Sequence, residues 1–209
     1  MTKKITTMVL PRPFRQPALE KLGAVLVRNA DKRFGELLAK HPLPDNRHLK
    51  WHLRENILPG LAIYQALRAE GRSQESALIA FDQIVEVVVT PNQRQMSRLG
   101  RFPLIYPLLR LVIRSAMRQY PEAGWQTDWV ENSREAIRFN MRSCFYFNVL
   151  SRHGAPELTA SFCRGDDLVY GQMSSHLEWK RTQTIGRGAE YCDFCFARTI
   201  KGKKEGRQS

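Results

Sequence analysis

The stretch AIRFNMRSCFYFNVLSRHG, residues 136–154, changes its hydrophobic period midway, and that change decides the fold. In its first half Ile137, Phe139 and Met141 alternate with Arg138, Asn140 and Arg142, the two-residue period of a half-buried strand. From Cys144 the chain is apolar almost without a break until Gly154 closes it, which reads as a short buried helix. Pro156 opens a second short helix, PELTASFC, at a position where a missing N–H costs nothing. Further on, LEWKRTQT and EYCDFCFAR flank the glycine-containing IGRG, the pattern of a β-hairpin. Residues 121–200 are therefore expected to form an antiparallel β-sheet with short covering helices.

Upstream the period is helical. Between Pro17 and Lys40, Leu19, Leu22, Leu26, Ala30, Phe34 and Leu37 recur every three or four residues, predicting one helix broken by HPLPDN. A second runs from about Arg47 toward Leu58, where Pro59 kinks or restarts it; LAIYQALRAEG continues to Gly71, a left-handed cap. Ser73 caps a helix through Val89 that Thr90 and Pro91 end, and another spans about Pro103 to Gln119. The expected fold class is α+β: a helical region over 1–120, an α+β region over 121–200 carrying the site, and a disordered basic tail over 201–209.

With 209 residues, 43% of them hydrophobic, the chain has enough apolar surface for a core. A net charge of +13 suits a polyanionic partner, but the basic residues are scattered and no Lys/Arg run is interleaved with aromatics. No specific nucleic-acid partner is expected; the cluster Lys201, Lys203, Lys204 and Arg207 reads as a solvated end. Four cysteines are too sparse for a disulfide scaffold, and MTKKITTMVLPRP lacks the apolar run of a signal peptide, so a cytoplasmic protein with reduced thiols is expected. The longest apolar stretch, FPLIYPLLRLVI, is well short of the ~20 residues of a membrane span, and no membrane association is expected.

On a strand over 190–198, Cys192 and Phe194 share one face while Asp193 and Cys195 share the other. The two thiols then point apart, unlike the tight turn of a zinc knuckle or the helix N-terminus of a redox pair. Cys195 reads as a small buried apolar residue. Cys163 is followed at three and four residues by Asp166 and Asp167, the spacing that stacks side chains on one helical face. Cys144, Cys163, Asp166 or Asp167, Arg181 and Asp193 are thus able to meet at one end of the sheet. Glu157, in a first helical turn, reads as complementing the helix dipole, and His176 as a surface residue.

The order CFYFNVLSRHGAPELTASFCRGDD, then KRTQTIGRGAEYCDFCF, resembles the L-2-amino-thiazoline-4-carboxylic acid hydrolase family. The shared features are a cysteine before a GxPEL segment, a second cysteine closely followed by aspartate, an RTxTI strand and a closing GxxxCDF. ENILPGLAIYQALRAEG is similar to that family's N-terminal half, so the likeness covers roughly Asn46 to Arg198. Cys195 departs from the pattern, standing where a variable or basic residue is expected. The resemblance implies a small-molecule substrate: water adds to the carbon between sulfur and nitrogen of a cyclic amidine-like ring, and ring opening gives a carbamoyl-cysteine. It implies Asp193 or Asp167 as activator of water, Cys163 or Cys192 as covalent nucleophile, and Arg181 as carboxylate holder. Cys144, Asp166 and Thr184 complete the implied substrate-binding set; no particular cofactor is implied, and a divalent metal is compatible with the same residues. A terminal hairpin ending in GxxxCxF is also similar to vinyl reductase-like sensor domains, which implies instead a small-molecule or metal-sensing module without catalysis.

Overall fold

The computed structural model describes residues 8–173 and 176–199. Helix α1 (Arg12–Leu22) and helix α2 (Ala24–Lys40) replace the single helix expected over 17–40. Gly23 separates them at φ +85°, a backbone state that side chains with a Cβ rarely adopt. Asn46 caps α3 (Arg47–His52), its side chain accepting from the N–H groups of His48 and Leu49. The kink expected near Pro59 is a π-helical turn over Leu53–Ile57, after which α4 (Leu58–Ala69) restarts with the proline in its first turn.

Helix α5 (Gln74–Leu99) runs straight through Thr90 and Pro91, where the sequence predicted its end. Pro91 forfeits one backbone bond, but Thr90 Oγ1 donates to the Glu86 carbonyl, and Val85 and Val89 pack against Gly165 of α8 (Leu158–Tyr170). Tertiary contact outweighs a local breaker here. Helix α6 (Ile105–Ala116) follows, with a 3₁₀ turn over Met117–Gln119.

Strand β1 (Thr127–Asn132) lies in a segment to which the sequence pattern assigned no element; β2 (Ala136–Met141) and α7 (Phe145–Arg152) fall where expected. Helix α8 outlasts the expected PELTASFC segment, so Asp166 and Asp167 lie inside it rather than beyond its end. Strand β3 (Leu177–Lys180) pairs with β4 (Cys192–Arg198), but IGRG is not a tight hairpin turn: Ile185–Arg187 form a 3₁₀ turn closed by left-handed Gly188. The sheet is antiparallel throughout, in the order β1-β2-β4-β3. Its register pairs Met141 with Cys192, Phe139 with Phe194 and Ile137 with Phe196 on the inner face, and Arg138 with Cys195 on the outer face. Two hydrophobic clusters hold the fold. One joins α1, α2, α4 and α5 to α7 and the start of α8; the other joins α6 to the sheet, so packing interleaves the two sequence regions rather than dividing at residue 120. The basic tail from residue 201 lies outside the described residues.

Candidate functional site

Three of the four thiols gather where α7 and α8 meet the inner face of the sheet. Cys192 points inward from β4 and its sulfur accepts the Ile185 N–H at 3.2 Å. Cys163 is buried on α8, and Cys144 stands immediately before α7. Burial pushes the Cys144 thiol up to about 11 and the Cys163 thiol up to about 12, and raises Cys192. The three also act on one another, since Cys144 and Cys192 both add to the rise at Cys163. Cys195 has other neighbours: Arg138, Lys180, Glu131 and Glu178, all charged.

Cys163, Asp166, Asp167 and Tyr170 repeat at three and four residues along α8 and so form one face of that helix. Against it lies Arg181, whose side chain is only 2% exposed. Its guanidinium reaches Asp166 at 3.2 Å and Asp167 at 2.8 Å, and donates to the Cys163 carbonyl. The rings of Trp179 and Phe194 cover it at 5.6 and 5.4 Å from their centroids. Trp179 Nε1 donates to Asp167 at 3.2 Å, and Arg187 stands 3.8 Å from the same carboxylate. The Arg181 fork is thus fully engaged by the protein itself.

Asp166 is the electrostatic centre of the cluster. Protein surrounds it on every side, and burial raises its carboxyl to about 6 against the opposing pull of Arg181; Asp167 adds to the rise. Yet 45% of its side-chain surface is open. The carboxyl is thus crowded by protein yet keeps an accessible side. The same combination holds for Cys144, Tyr120, Tyr146 and Tyr170, each deep in the protein but only half-buried by surface. Asp166 acts on all four, and on Cys163 and Cys192 as well. One carboxyl therefore sits within electrostatic reach of three thiols and three phenols.

Asp193 is not brought into this group. It projects from the outer face of β4, where its carboxylate accepts from Thr182 N at 2.9 Å, Thr182 Oγ1 at 2.8 Å and Gln183 N at 2.8 Å. Burial alone would raise its pKa, but these bonds from Gln183 and Thr182 together lower it. Its geometry is that of a clamp on the 182–183 segment. Thr184 is buried with its hydroxyl unpartnered, so that oxygen retains hydrogen-bonding capacity. Glu157 precedes α8 and accepts from the Tyr64 hydroxyl, tying α8 to α4.

The three tyrosines and His52 escaped the sequence reading. His52 ends α3 just before the π-helical turn, and its Nε2–H donates to the Gln119 carbonyl at 3.2 Å. That fixes the tautomer, so Nδ1 accepts from the Tyr146 hydroxyl at 3.0 Å. Burial lowers the His52 pKa to about 4, leaving a neutral ring packed among Trp51, Tyr120, Trp125 and Tyr146. The available signal was the density of aromatics in FYF and around Trp125, but it does not say which segments meet.

Among the described residues no group of three His, Cys, Asp or Glu side chains is placed to hold a metal ion. The thiols and Asp166 influence one another without forming such a donor set.

A model of the L-2-amino-thiazoline-4-carboxylic acid hydrolase family matches residues 51–196. That span includes every residue of the cluster. No curated protein matches the sequence. Among solved structures, that of the Fe(II) unliganded H-NOX protein from K. algicida aligns at 11% identity, covering 92% of this chain and 96% of that one, with a TM-score of 0.34.

Proposed function

The chain belongs to the L-2-amino-thiazoline-4-carboxylic acid hydrolase family, and on that premise we propose that it opens a small carboxylate-bearing cyclic amidine-like ring, such as 2-amino-thiazoline-4-carboxylate, to a carbamoyl-cysteine. The observation that carries this reading is Asp166, a partly open carboxyl with a pKa of about 6, held by Arg181 beside three thiols. A base is most effective when its pKa lies near the working pH. The Asp166 carboxylate takes a proton from water as the water oxygen bonds to the ring carbon between sulfur and nitrogen. The ring nitrogen takes the C=N electron pair and the proton held by Asp166; as the carbonyl forms, the adduct's hydroxyl proton passes through Asp166 to the departing ring nitrogen or sulfur.

The thiols suit a water route better than a covalent one. With Cys163 held at about 12 and Cys144 at about 11, they are protonated near neutral pH and poor nucleophiles. Arg181, its fork occupied, is a positioning residue that holds Asp166 and Asp167 in place. Arg187, more than half exposed and 3.8 Å from Asp167, is a cation that can turn toward a substrate carboxylate.

The test is incubation of the protein with the thiazoline and detection of carbamoyl-cysteine by mass spectrometry. Appearance of a new free thiol identifies cleavage of the carbon–sulfur bond; its absence identifies carbon–nitrogen cleavage. Asp166→Asn should lower kcat by about 10²-fold or more, and wild-type kcat/KM should fall below about pH 6 as the base is protonated. Tight binding of small ligands with no turnover of the thiazoline or of related cyclic amidines and ureas would replace the hydrolase with a sensing module.

A further inference from the structure

Helix α6 carries one broad apolar arc, and only part of it is buried. Ile105, Tyr106 and Ile113 enter the cluster beneath the sheet, and Arg110 reaches Asn132 on β1. Next to this face Leu104, Leu108, Leu111 and Val112 continue the apolar arc at helical spacing and are all exposed, Leu111 by 80%. Phe102, in the turn before the helix, and Leu99, at the end of α5, extend the exposed apolar strip. A contiguous apolar surface of this kind marks a face meant for contact.

Its setting says with what. Between Glu86 and Glu122 the chain has six arginines and no acidic residue. Arg94, Arg98 and Arg101 stand at the end of α5 beside the apolar strip and, with Gln93, Ser97 and Gln172, line a surface depression of about 370 Å³. Arginine is the side chain suited to phosphate. A second copy of the chain would set the positive charge of Arg94, Arg98 and Arg101 against itself. A nucleic-acid backbone would complement the arginines but leave the leucines against water or phosphate. Apolar side chains flanked by cations match the two layers of a lipid interface, acyl chains below and anionic headgroups above.

We propose that α6 and the arginine-lined end of α5 dock the protein on the surface of an anionic bilayer, the leucines entering the acyl boundary and Arg94, Arg98 and Arg101 holding lipid phosphates. This is a surface contact: no helix among the described residues is long and apolar enough to cross a membrane. The sequence expectation of no membrane association rested on span length, and periodicity does not say how much of a broad apolar arc the core will cover.

The experiment is flotation of the full chain with phosphatidylcholine vesicles, with and without about one-third phosphatidylglycerol, in moderate salt. Wild type should float with the anionic vesicles only. Leu108→Ser with Leu111→Ser should weaken partitioning at least about tenfold. Arg98→Gln with Arg101→Gln should weaken it about fivefold for each arginine lost. Arg12→Gln with Arg28→Gln, exposed arginines on α1 and α2, should change it far less. Far-UV circular dichroism checks that each variant is folded; Leu111→Ser alone, at so exposed a position, keeps the test open if the double variant fails to fold. Glycerophosphate and inorganic phosphate, as free competitors, should not displace the protein, because they lack the acyl layer. The proposal is overturned if wild type ignores anionic vesicles, if the leucine variants bind as wild type does, if the α1 and α2 variants weaken binding equally, or if free phosphate or duplex DNA competes fully.

Discussion

Replacing Arg181 with methionine tests the centre of the site. The substitution keeps a flexible apolar stem under Trp179 and Phe194 but removes the guanidinium that meets Asp166, Asp167 and the Cys163 carbonyl. Stripping one partner from a fully buried ion pair costs about 3–5 kcal/mol. Here the carboxylate side chains are 45% and 34% open, so water takes up part of the loss, and a cost of about 2–3 kcal/mol is expected near neutral pH. The pH dependence follows from sign. Arg181 lowers the Asp166 pKa, so its removal raises a value that already lies above the unfolded one. A carboxyl with a raised folded pKa destabilises the fold fully above that pKa, and the penalty is relieved as pH falls through it toward the unfolded value of about 4. Urea unfolding should therefore show the variant closer to wild type at about pH 5 than at about pH 7.5. In the ring-opening assay the acid limb of kcat/KM should move above pH 6 while KM changes little. A stability loss that is equal at both pH values would refute the coupling between Arg181 and Asp166. A large rise in KM with an unmoved acid limb would instead make Arg181 the substrate's own carboxylate partner.

Other groups give separable outcomes. His52, with its pKa lowered to about 4, should contribute stability that is complete above the unfolded value of about 6.5 and is lost as pH falls toward 4, by about 3 kcal/mol in all; His52→Gln should flatten that slope in urea titrations. Cys144 and Cys163 should alkylate with iodoacetamide at least about 100-fold more slowly than a free cysteine thiol near neutral pH, as read by peptide mass spectrometry, and rapid labelling of either would revive covalent catalysis. Asp193→Asn removes a charge-assisted clamp on Thr182 and Gln183 and should cost about 1–3 kcal/mol in unfolding while lowering kcat much less than Asp166→Asn does; the reverse ranking would return Asp193 to the role of base.

What the sequence disclosed about this molecule follows the range of the forces involved. The alternation of Ile137, Phe139 and Met141 needs only neighbouring residues, and it put β2 in the right place; the same two-residue rule sent Cys192 inward and Cys195 outward. Strand β1 was invisible because it lies at the sheet edge and buries little, and a bulge between Trp129 and Glu131 breaks its period. Pro91 was read as a stop because the packing of α5 on Gly165 lies more than seventy residues away in the chain. The site follows the same logic. The spacing of Cys163, Asp166 and Asp167 was legible as one helical face, but their partners come from separate segments: Arg181 after β3, Tyr120 after α6, Tyr146 on α7 and His52 on α3. Nothing local distinguishes Asp166, which keeps an accessible side, from Asp167, which braces Trp179 and Arg187, or from Asp193 outside. Three aspartates of identical chemistry thus acquire different roles from depth and partners alone. Assigning the base to Asp166 rests on that difference: of the three, it is the carboxyl that burial raises to about 6 while nearly half of its side chain stays open.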